Sequence, residues 1–158
     1  MGMHMGNGKS VECSTVIKSL EQLCSPAFAE SWDNVGLLAG RKEKEVQKIC
    51  IAVDAVESVI EEAVRKGADM LLTHHPLIFS PVKRINTDDF TGRRLIRLLQ
   101  NDISYYAMHT NFDVMGMADA AADELRLKDR HVLSITYEDE ISKEGIGRYG
   151  MLPQVMTL

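Results

Sequence analysis

The sequence has no excess of basic charge and no long apolar run, and each of these features argues against a class of protein. Lys and Arg together number 18, against 23 Asp and Glu, which gives a net charge of -5. Nucleic-acid-binding domains usually carry a basic surface, so nucleic acid is not the expected main partner. No apolar stretch approaches the roughly 18 residues of a membrane-spanning helix. Small molecules or other proteins are therefore the expected partners.

Cysteine is scarce, and its positions do not form a recognisable pair. Cys13, Cys24 and Cys50 are odd in number and lack a C-x-x-C spacing, which argues against both a disulfide framework and a structural zinc ribbon. The N-terminus lacks the apolar core of a signal peptide. These features predict a protein of the reducing cytoplasm. Residues 1–12, which begin MGMHMGNGKS, are expected to be an expression tag or a disordered end.

The remaining chain has the size and pattern of one globular unit. With 158 residues, of which 45% are hydrophobic, it can bury roughly 70% of its unfolded surface in a single core. We therefore expect a single α/β domain over residues 13–158. A helical periodicity covers Val16–Leu23, and apolar extended runs follow at 35–40 and 48–55.

The middle of the chain alternates between strand and helix patterns. An amphipathic stripe from Val56 to Val64 ends near Gly67, and the extended run DMLLTHH follows. Further helices are predicted at 91–102 and 117–127, with strands at 103–110 and 131–137. This order predicts an α/β fold with a mainly parallel or mixed sheet and helices on both faces.

Two of the predicted strands end in histidines. In LLTHHPLIF, His74 and His75 follow a buried strand, and in HTNFD, His109 and Asp113 follow another. Ligand sites of open α/β sheets lie beyond the carboxyl ends of the strands. If these strands are neighbours, three imidazoles and a carboxylate meet at one edge of the sheet. That set of side chains predicts a metal site.

The ligand types narrow the choice of metal. Imidazole and carboxylate together suit zinc, iron, manganese or nickel, whereas magnesium and calcium prefer oxygen ligands only. Successive strand residues point to opposite faces, so His74 and His75 share a site only where the strand has ended, and Pro76 holds His75 extended there. Adjacent ligands with different directions suit two ions better than one, so a site with two metal ions is a hypothesis here. A single strand-end histidine is more often structural, so no role is predicted for His131.

Other polar residues near strand ends have simpler interpretations. Asp54 stands three residues before Glu57, a spacing that favours a helix cap. Trp32 is expected in the core, and Asp33 with Asn34 is interpreted as a turn, with a pocket lining as the alternative. A basic group is interpreted as a solvated helix face, with phosphate binding left open: Lys83, Arg84, Arg93, Arg94 and Arg97.

Three long segments carry a resemblance to a known family. ESWDNVGLLAG, VDAVESVIEEAVRKGADMLLTHHPLIFSPVKRI and YYAMHTNFDV, in this order and spacing, resemble the NIF-three-like family, the GTP cyclohydrolase 1 type 2 homologues. The match runs from about Val16 to the closing GIGRYGMLPQVMTL. The resemblance implies a three-layer α/β fold, a cyclic homo-oligomer (commonly a hexamer) and a pair of metal ions per subunit.

Position by position, the resemblance implies that His74, His75 and Asp113 are metal ligands and that His109 is a proton carrier beside the metals. It also implies a further His and Glu, from a His-x-x-x-Glu motif in a second half that is similar in fold to the first. We expect residues 13–158 to correspond to the first half alone, with the second half absent and the site incomplete in this chain. The chain is then either a fragment or one whose site another chain completes.

These observations favour a metal-dependent hydrolase. A divalent metal would lower the pKa of water for attack on a carbon or phosphorus centre, with His109 moving the proton. The family name suggests a nucleotide substrate such as GTP, although one fold and one metal site permit many substrates. The alternative is a non-catalytic metal-binding scaffold or regulatory oligomer. An Asp-His-His phosphoesterase is the least favoured reading, because Thr73 precedes the histidine pair.

Overall fold

The computed structural model describes residues 9–155, and its centre is a four-stranded mixed sheet. In chain order the elements are β1 (Val11–Glu12), α1 (Cys13–Leu23), β2 (Gly36–Ala39), β3 (Glu45–Val46), β4 (Ile49–Ala52), α2 (Glu57–Arg65), β5 (Met70–Thr73), α3 (Phe90–Gln100), β6 (Ser104–Ala107), α4 (Thr110–Phe112), α5 (Ala118–Glu124), β7 (Lys128–Glu138) and β8 (Lys143–Met151). The central sheet has the order β2-β6-β5-β4. Strands β4, β5 and β6 run parallel, and β2 pairs antiparallel with β6.

Helices cover both faces of this sheet, so the predicted α/β fold with a mixed sheet is confirmed. On one face, Ile60 of α2 and Leu98 of α3 pack with Leu71 of β5. On the other face, Cys13 of α1 packs with Met70. Met70 and Leu71 are consecutive residues of a strand and therefore point to opposite faces. Their burial on both sides explains why β5 begins with three consecutive apolar residues.

Local signals set the ends of the helices beside the sheet. The Asp89 carboxylate accepts a hydrogen bond from the Gly92 backbone N–H at 2.7 Å and caps the start of α3. Gly67, with a φ of 61°, follows α2 and turns the chain toward β5. These ends place the β4-α2-β5 and β5-α3-β6 connections so that the parallel strands all finish at one edge.

A wide helical turn separates α4 from α5. Residues Asp113–Met117 form this turn with π-helical geometry. A Cβ at Gly116 would lie 2.5 Å from the Phe112 ring, so glycine is needed where the ring packs. The β7–β8 hairpin packs against this turn and α5 through β8, where the Arg148 guanidinium donates to the Asp119 carboxylate at 2.8 Å.

Some elements differ from the sequence expectation. Strand β8 was not predicted, because its glycines weaken the sequence pattern of a strand. At least one of these glycines is required by the hairpin, since a Cβ at Gly145 would lie 1.9 Å from the Ser134 carbonyl oxygen. Val11 and Glu12, within the segment expected to be a tag, pair with β3, and residues 1–8 of that expectation lie outside the described residues. Within 9–155, no helix is both long and apolar enough to cross a membrane.

Two adjacent tyrosines of β6 give a matched test of this core. The Tyr105 hydroxyl accepts from the Leu77 backbone N–H at 2.7 Å and lies 2.7 Å from the Thr73 hydroxyl. The buried Tyr106 hydroxyl has no hydrogen-bond partner among the residues that the structure describes. Burial raises the pKa of Tyr106 to about 12, with Glu21 and Cys24 adding to the shift.

We expect Tyr105→Phe to lower the free energy of unfolding by about 1–3 kcal/mol, because it leaves the part-buried Leu77 N–H unpaired and removes the buried contact with the Thr73 hydroxyl. Tyr106→Phe is expected to leave stability unchanged or to raise it by up to about 1 kcal/mol, since it removes a buried hydroxyl that makes no bond. Urea denaturation of both variants measures the difference. Equal losses in the two variants would contradict the assigned hydrogen bonds.

Candidate metal centre

The three strand-end histidines lie together at one edge of the sheet. His74 and His75 follow β5, and His109 follows the neighbouring parallel strand β6. One ring nitrogen from each lies within 4.8 Å of the others. The ring centroid of His109 lies 5.1 Å from that of His74 and 5.7 Å from that of His75. The in-register pairing of β5 and β6 explains this convergence, since the residues after both strands emerge at the same place.

Each of these imidazoles is oriented by an oxygen atom that contacts its Nδ1. A carbonyl or carboxylate oxygen accepts hydrogen bonds, so this contact selects the neutral tautomer in which Nδ1 carries the proton and Nε2 keeps its lone pair. Histidines that bind metals are commonly held by oxygen acceptors in this manner. The acceptors are the Met108 carbonyl for His74 at 3.0 Å, Asp54 for His75 at 2.7 Å and Asp33 for His109 at 2.9 Å.

Asp113, the predicted acidic ligand, lies beside the first histidine. Its Oδ1 is 3.4 Å from Nε2 of His74, the ring nitrogen left free by the Met108 contact. Asp113 is the first residue of the wide helical turn, so the turn directs its carboxylate toward the end of β5. The cluster thus offers imidazole and carboxylate groups, and it could hold a metal ion. The separate roles of ligand and proton carrier stay predictions.

The Asp33 carboxylate is a buried part of the site. A turn does end at Asp33, where its backbone N–H donates to the Glu30 carbonyl, and the contacts of the carboxylate favour the alternative of a pocket lining. The Asp33 side chain is fully buried and accepts from His109, from the Thr110 backbone N–H at 3.0 Å and from the Asn34 backbone N–H at 2.7 Å. Burial acts to raise the pKa of Asp33, but the hydrogen bonds from Thr110, His109 and Asn34 outweigh it and hold the pKa below its ordinary value of 3.8.

The interpretation of Asp54 as a helix cap was wrong. Helix α2 is preceded by Val56 at its N-cap position, without a side-chain capping bond. The Asp54 carboxylate instead contacts His75, because β4 and β5 are parallel neighbours and both chains leave the sheet at the same edge. The strand-end rule that identified the histidines would also have identified Asp54.

The expectation of a buried tryptophan was wrong as well. Trp32 is 57% exposed and lies at the rim of the histidine cluster. Its ring centroid is 6.2 Å from that of His109 and 5.7 Å from that of Phe79. The residue immediately after it, Asp33, carries the buried contacts of this segment.

The five basic residues from Lys83 to Arg97 lie in two separate places. Arg93 and Arg97 of α3 form ion pairs with Glu57 and Glu61 of α2, at 3.5 and 2.6 Å. The Arg94 guanidinium lies over the Phe90 ring, 5.0 Å from its centroid. These contacts favour the helix-face interpretation for the three arginines of α3. Lys83 and Arg84 lie apart from them in the loop before α3, where they line a groove with Phe79.

Fold and cluster together define an α/β protein with a candidate metal centre at the carboxyl ends of its strands. The chain matches the model of the Duf34/NIF3 (NGG1p interacting factor 3) family over residues 11–158, and it belongs to that family.

Similar proteins extend this result. The chain is 39% identical over 137 residues to a GTP cyclohydrolase 1 type 2 homolog of Bacillus subtilis, covering 85% of this chain and 37% of the relative. It is 37% identical over 150 residues to the homolog of Clostridium perfringens, covering 94% and 56%. The crystal structure of a Bacillus cereus protein related to NIF3 superposes with a TM-score of 0.77 at 38% identity, covering 82% of this chain and 36% of that one. The chain thus spans between about a third and just over half of the length of these relatives.

Proposed function

We propose that this protein is a metal-dependent hydrolase, with His74, His75 and Asp113 as metal ligands and His109 as the group that moves a proton. The observation that carries the proposal is the set of three converging imidazoles, each with Nδ1 held by an oxygen and Nε2 left free. This donor set fits zinc, iron, manganese or nickel. When bound, such an ion supplies Lewis-acid chemistry and lowers the pKa of water.

The Asp33–His109 pair supports proton transfer by this chain's own residues. Asp33 accepts the Nδ1–H of His109 and so fixes the ring with Nε2 free to accept a proton. The buried carboxylate then stabilises the imidazolium that forms, as the aspartate does in a catalytic triad. Asp54 fixes His75 in the same way. The His75 side chain is 50% exposed, which leaves one side of the cluster open to an incoming substrate.

The finer features of the proposal rest on the family. We infer that a pair of ions binds per subunit, that the substrate is a small molecule of the nucleotide class, and that the described domain corresponds to the first half of the longer relatives. The relatives' name, GTP cyclohydrolase 1 type 2 homolog, supports the choice of GTP as the first substrate to test. The free thiols of Cys13, Cys24 and Cys50 support a cytoplasmic location.

A homo-oligomer is part of the proposal, and the edge of the sheet supports it. Ile49, Ile51 and Val53, on and directly after β4, are exposed, and association of subunits would remove this apolar surface from water. Light scattering on the purified protein measures the mass of the particle, and a monomer at every concentration would contradict this part.

The experiment that tests the function compares two histidines. The protein is supplied with zinc, manganese, iron or nickel in turn, and hydrolysis of a nucleotide panel that includes GTP is measured together with metal content. We expect His109→Gln to lower turnover by about 10²- to 10⁴-fold, the usual contribution of a general acid or base, with metal retained. His131→Gln, whose ring lies against Tyr149 on the hairpin, is the control and should be unaffected.

The outcomes separate the alternatives. Metal binding without turnover of any nucleotide favours the non-catalytic scaffold. Loss of metal in His109→Gln assigns His109 as a ligand and contradicts its role as proton carrier. Equal turnover in His109→Gln and His131→Gln removes His109 from the chemistry.

A further inference from the structure

Two large aromatic side chains are exposed beside the histidine cluster. Trp32 is 57% and Phe79 is 50% exposed, and their ring centroids are 5.7 Å apart. The centroid of His109 lies 6.2 Å from that of Trp32 and 6.3 Å from that of Phe79. Aromatic surface in water is unfavourable, and adjacent exposed aromatic rings at the rim of a polar cluster indicate a binding surface.

Hydrogen bonds fix the backbone beside both rings. Trp32 directly precedes the buried Asp33, and the Asn34 side-chain amide donates to the Ile78 carbonyl at 2.6 Å. Ile78 directly precedes Phe79, so this bond joins the two segments that carry the aromatic rings. The backbone that carries the pair is therefore joined before any ligand arrives, which lowers the free energy that a ligand loses in ordering these two segments.

The two rings are inclined to each other, and each residue is at least half exposed. The planes of Trp32 and Phe79 are inclined by 43°, so the two rings do not stack closely on each other. A groove of about 740 Å³ is lined by Phe79, Lys83 and Arg84 among others. Its volume lies within the usual range for small-molecule sites, about 300–1,000 Å³, and gives space for the rest of a ligand.

We propose that Trp32 and Phe79 form a stacking platform for a planar heteroaromatic ring of nucleobase size, which holds a substrate next to the histidine cluster. The proposal rests on the proposed function, because it names the substrate class of the same site. Every nucleobase has a π face, and the removal of one stacked aromatic side chain typically weakens binding by about fivefold to 150-fold.

The single tryptophan of the chain makes the platform directly measurable. The sequence contains one Trp, so all tryptophan fluorescence comes from Trp32. Guanosine is titrated into chelator-treated protein and into zinc-supplied protein, with ribose 5-phosphate as a ligand that lacks a planar ring. We expect saturable quenching by guanosine in both preparations and protection of Trp32 from acrylamide, with no effect of ribose 5-phosphate.

Matched variants locate the binding. Phe79→Leu, followed by fluorescence, and Trp32→Leu, followed by equilibrium dialysis, should each weaken guanosine binding by about fivefold to 150-fold. Tyr149→Leu, which alters an aromatic side chain of similar exposure on β8 (53%), should bind guanosine normally. All of these positions are exposed, and circular dichroism checks that the variants are folded.

The failure of this proposal is distinguishable from failure of the proposed function, because zinc content is measured in the same samples. Zinc binding without guanosine binding, or unchanged guanosine affinity in both site variants, overturns the platform alone. Guanosine binding without zinc binding overturns the proposed function and leaves the platform standing. Shielding of Trp32 from acrylamide in the free protein would show that another copy covers the rings, and it also overturns the platform.

Discussion

Replacement of His74 and His75 together by alanine is expected to remove bound metal from the protein without unfolding it. The double variant loses two of the three converging ring nitrogens. The loss of a group that merely orients a ligand usually weakens metal binding by about 10- to 100-fold, so the loss of two donors should exceed 100-fold. Both residues lie outside the buried clusters of the core, so the thermal midpoint should change little. Elemental analysis after dialysis against zinc, with circular dichroism, measures both quantities.

Two further variants calibrate this result. His131→Ala, remote on the hairpin, should retain the metal content of the unaltered chain. Asp54→Asn weakens the contact that orients His75 and should weaken binding by about 10- to 100-fold, between the control and the double variant. Equal metal content in the double variant and the unaltered chain would end the interpretation of this cluster as a metal centre.

Replacement of Asp33 by alanine is expected to have the largest effect on stability, a loss of about 3 kcal/mol or more in the free energy of unfolding. The variant leaves the His109 Nδ1–H and the Thr110 backbone N–H without their acceptor, and each buried unpaired donor costs about 1–3 kcal/mol. Urea denaturation measures the loss. Asp123→Ala is the matched control, because its side chain is 71% exposed and forms one ion pair with Arg130, which predicts a loss below about 1 kcal/mol.

The same carboxylate predicts the direction of a pH effect. Because the folded-state pKa of Asp33 lies below its ordinary value of 3.8, the ionised carboxylate contributes its full stabilisation above that value. This contribution is lost as the pH falls through the lower folded-state pKa. Asp33→Ala should therefore lose less stability than the unaltered chain on acidification below about pH 4. A steeper loss in the variant would contradict the assignment.

Local patterns predicted most of the fold and the residues that converge. The amphipathic stripe after Val56 gives α2, and the apolar run before His74 gives β5, because periodicity and strand ends are properties of neighbouring residues. The convergence of His74, His75 and His109 followed from one topological rule, that parallel strands end at the same edge. The hairpin strand β8 was missed because its glycines serve close backbone contact across the pair and leave no strand pattern.

The contacts that orient the histidines were not predicted, because they join segments that are distant in the sequence. The Asp33–His109 contact joins residues 76 positions apart, and the Asp54–His75 contact joins residues 21 apart. For each aspartate, a local sequence pattern favoured another interpretation. The Asp-Asn pair indicated a turn at Asp33, and the spacing to Glu57 indicated a helix cap at Asp54. Trp32 was misplaced for a related reason, since hydrophobicity predicts burial and carries no information about a surface where a ligand binds.

The wide turn at Asp113–Met117 separates two angular requirements within one helical segment. Before it, the chain has to direct Asp113 at His74; after it, Ala122 has to face the interior while Asp119 reaches Arg148. Successive residues of an α-helix are rotated by about 100° about its axis. In a regular helix, the direction of the Asp113 side chain would therefore fix the directions of Asp119 and Ala122. The π-type turn inserts an additional residue and resets that rotation. One continuous segment can therefore direct the Asp113 carboxylate toward the histidines and, after the turn, direct the Asp119 side chain of α5 toward the hairpin.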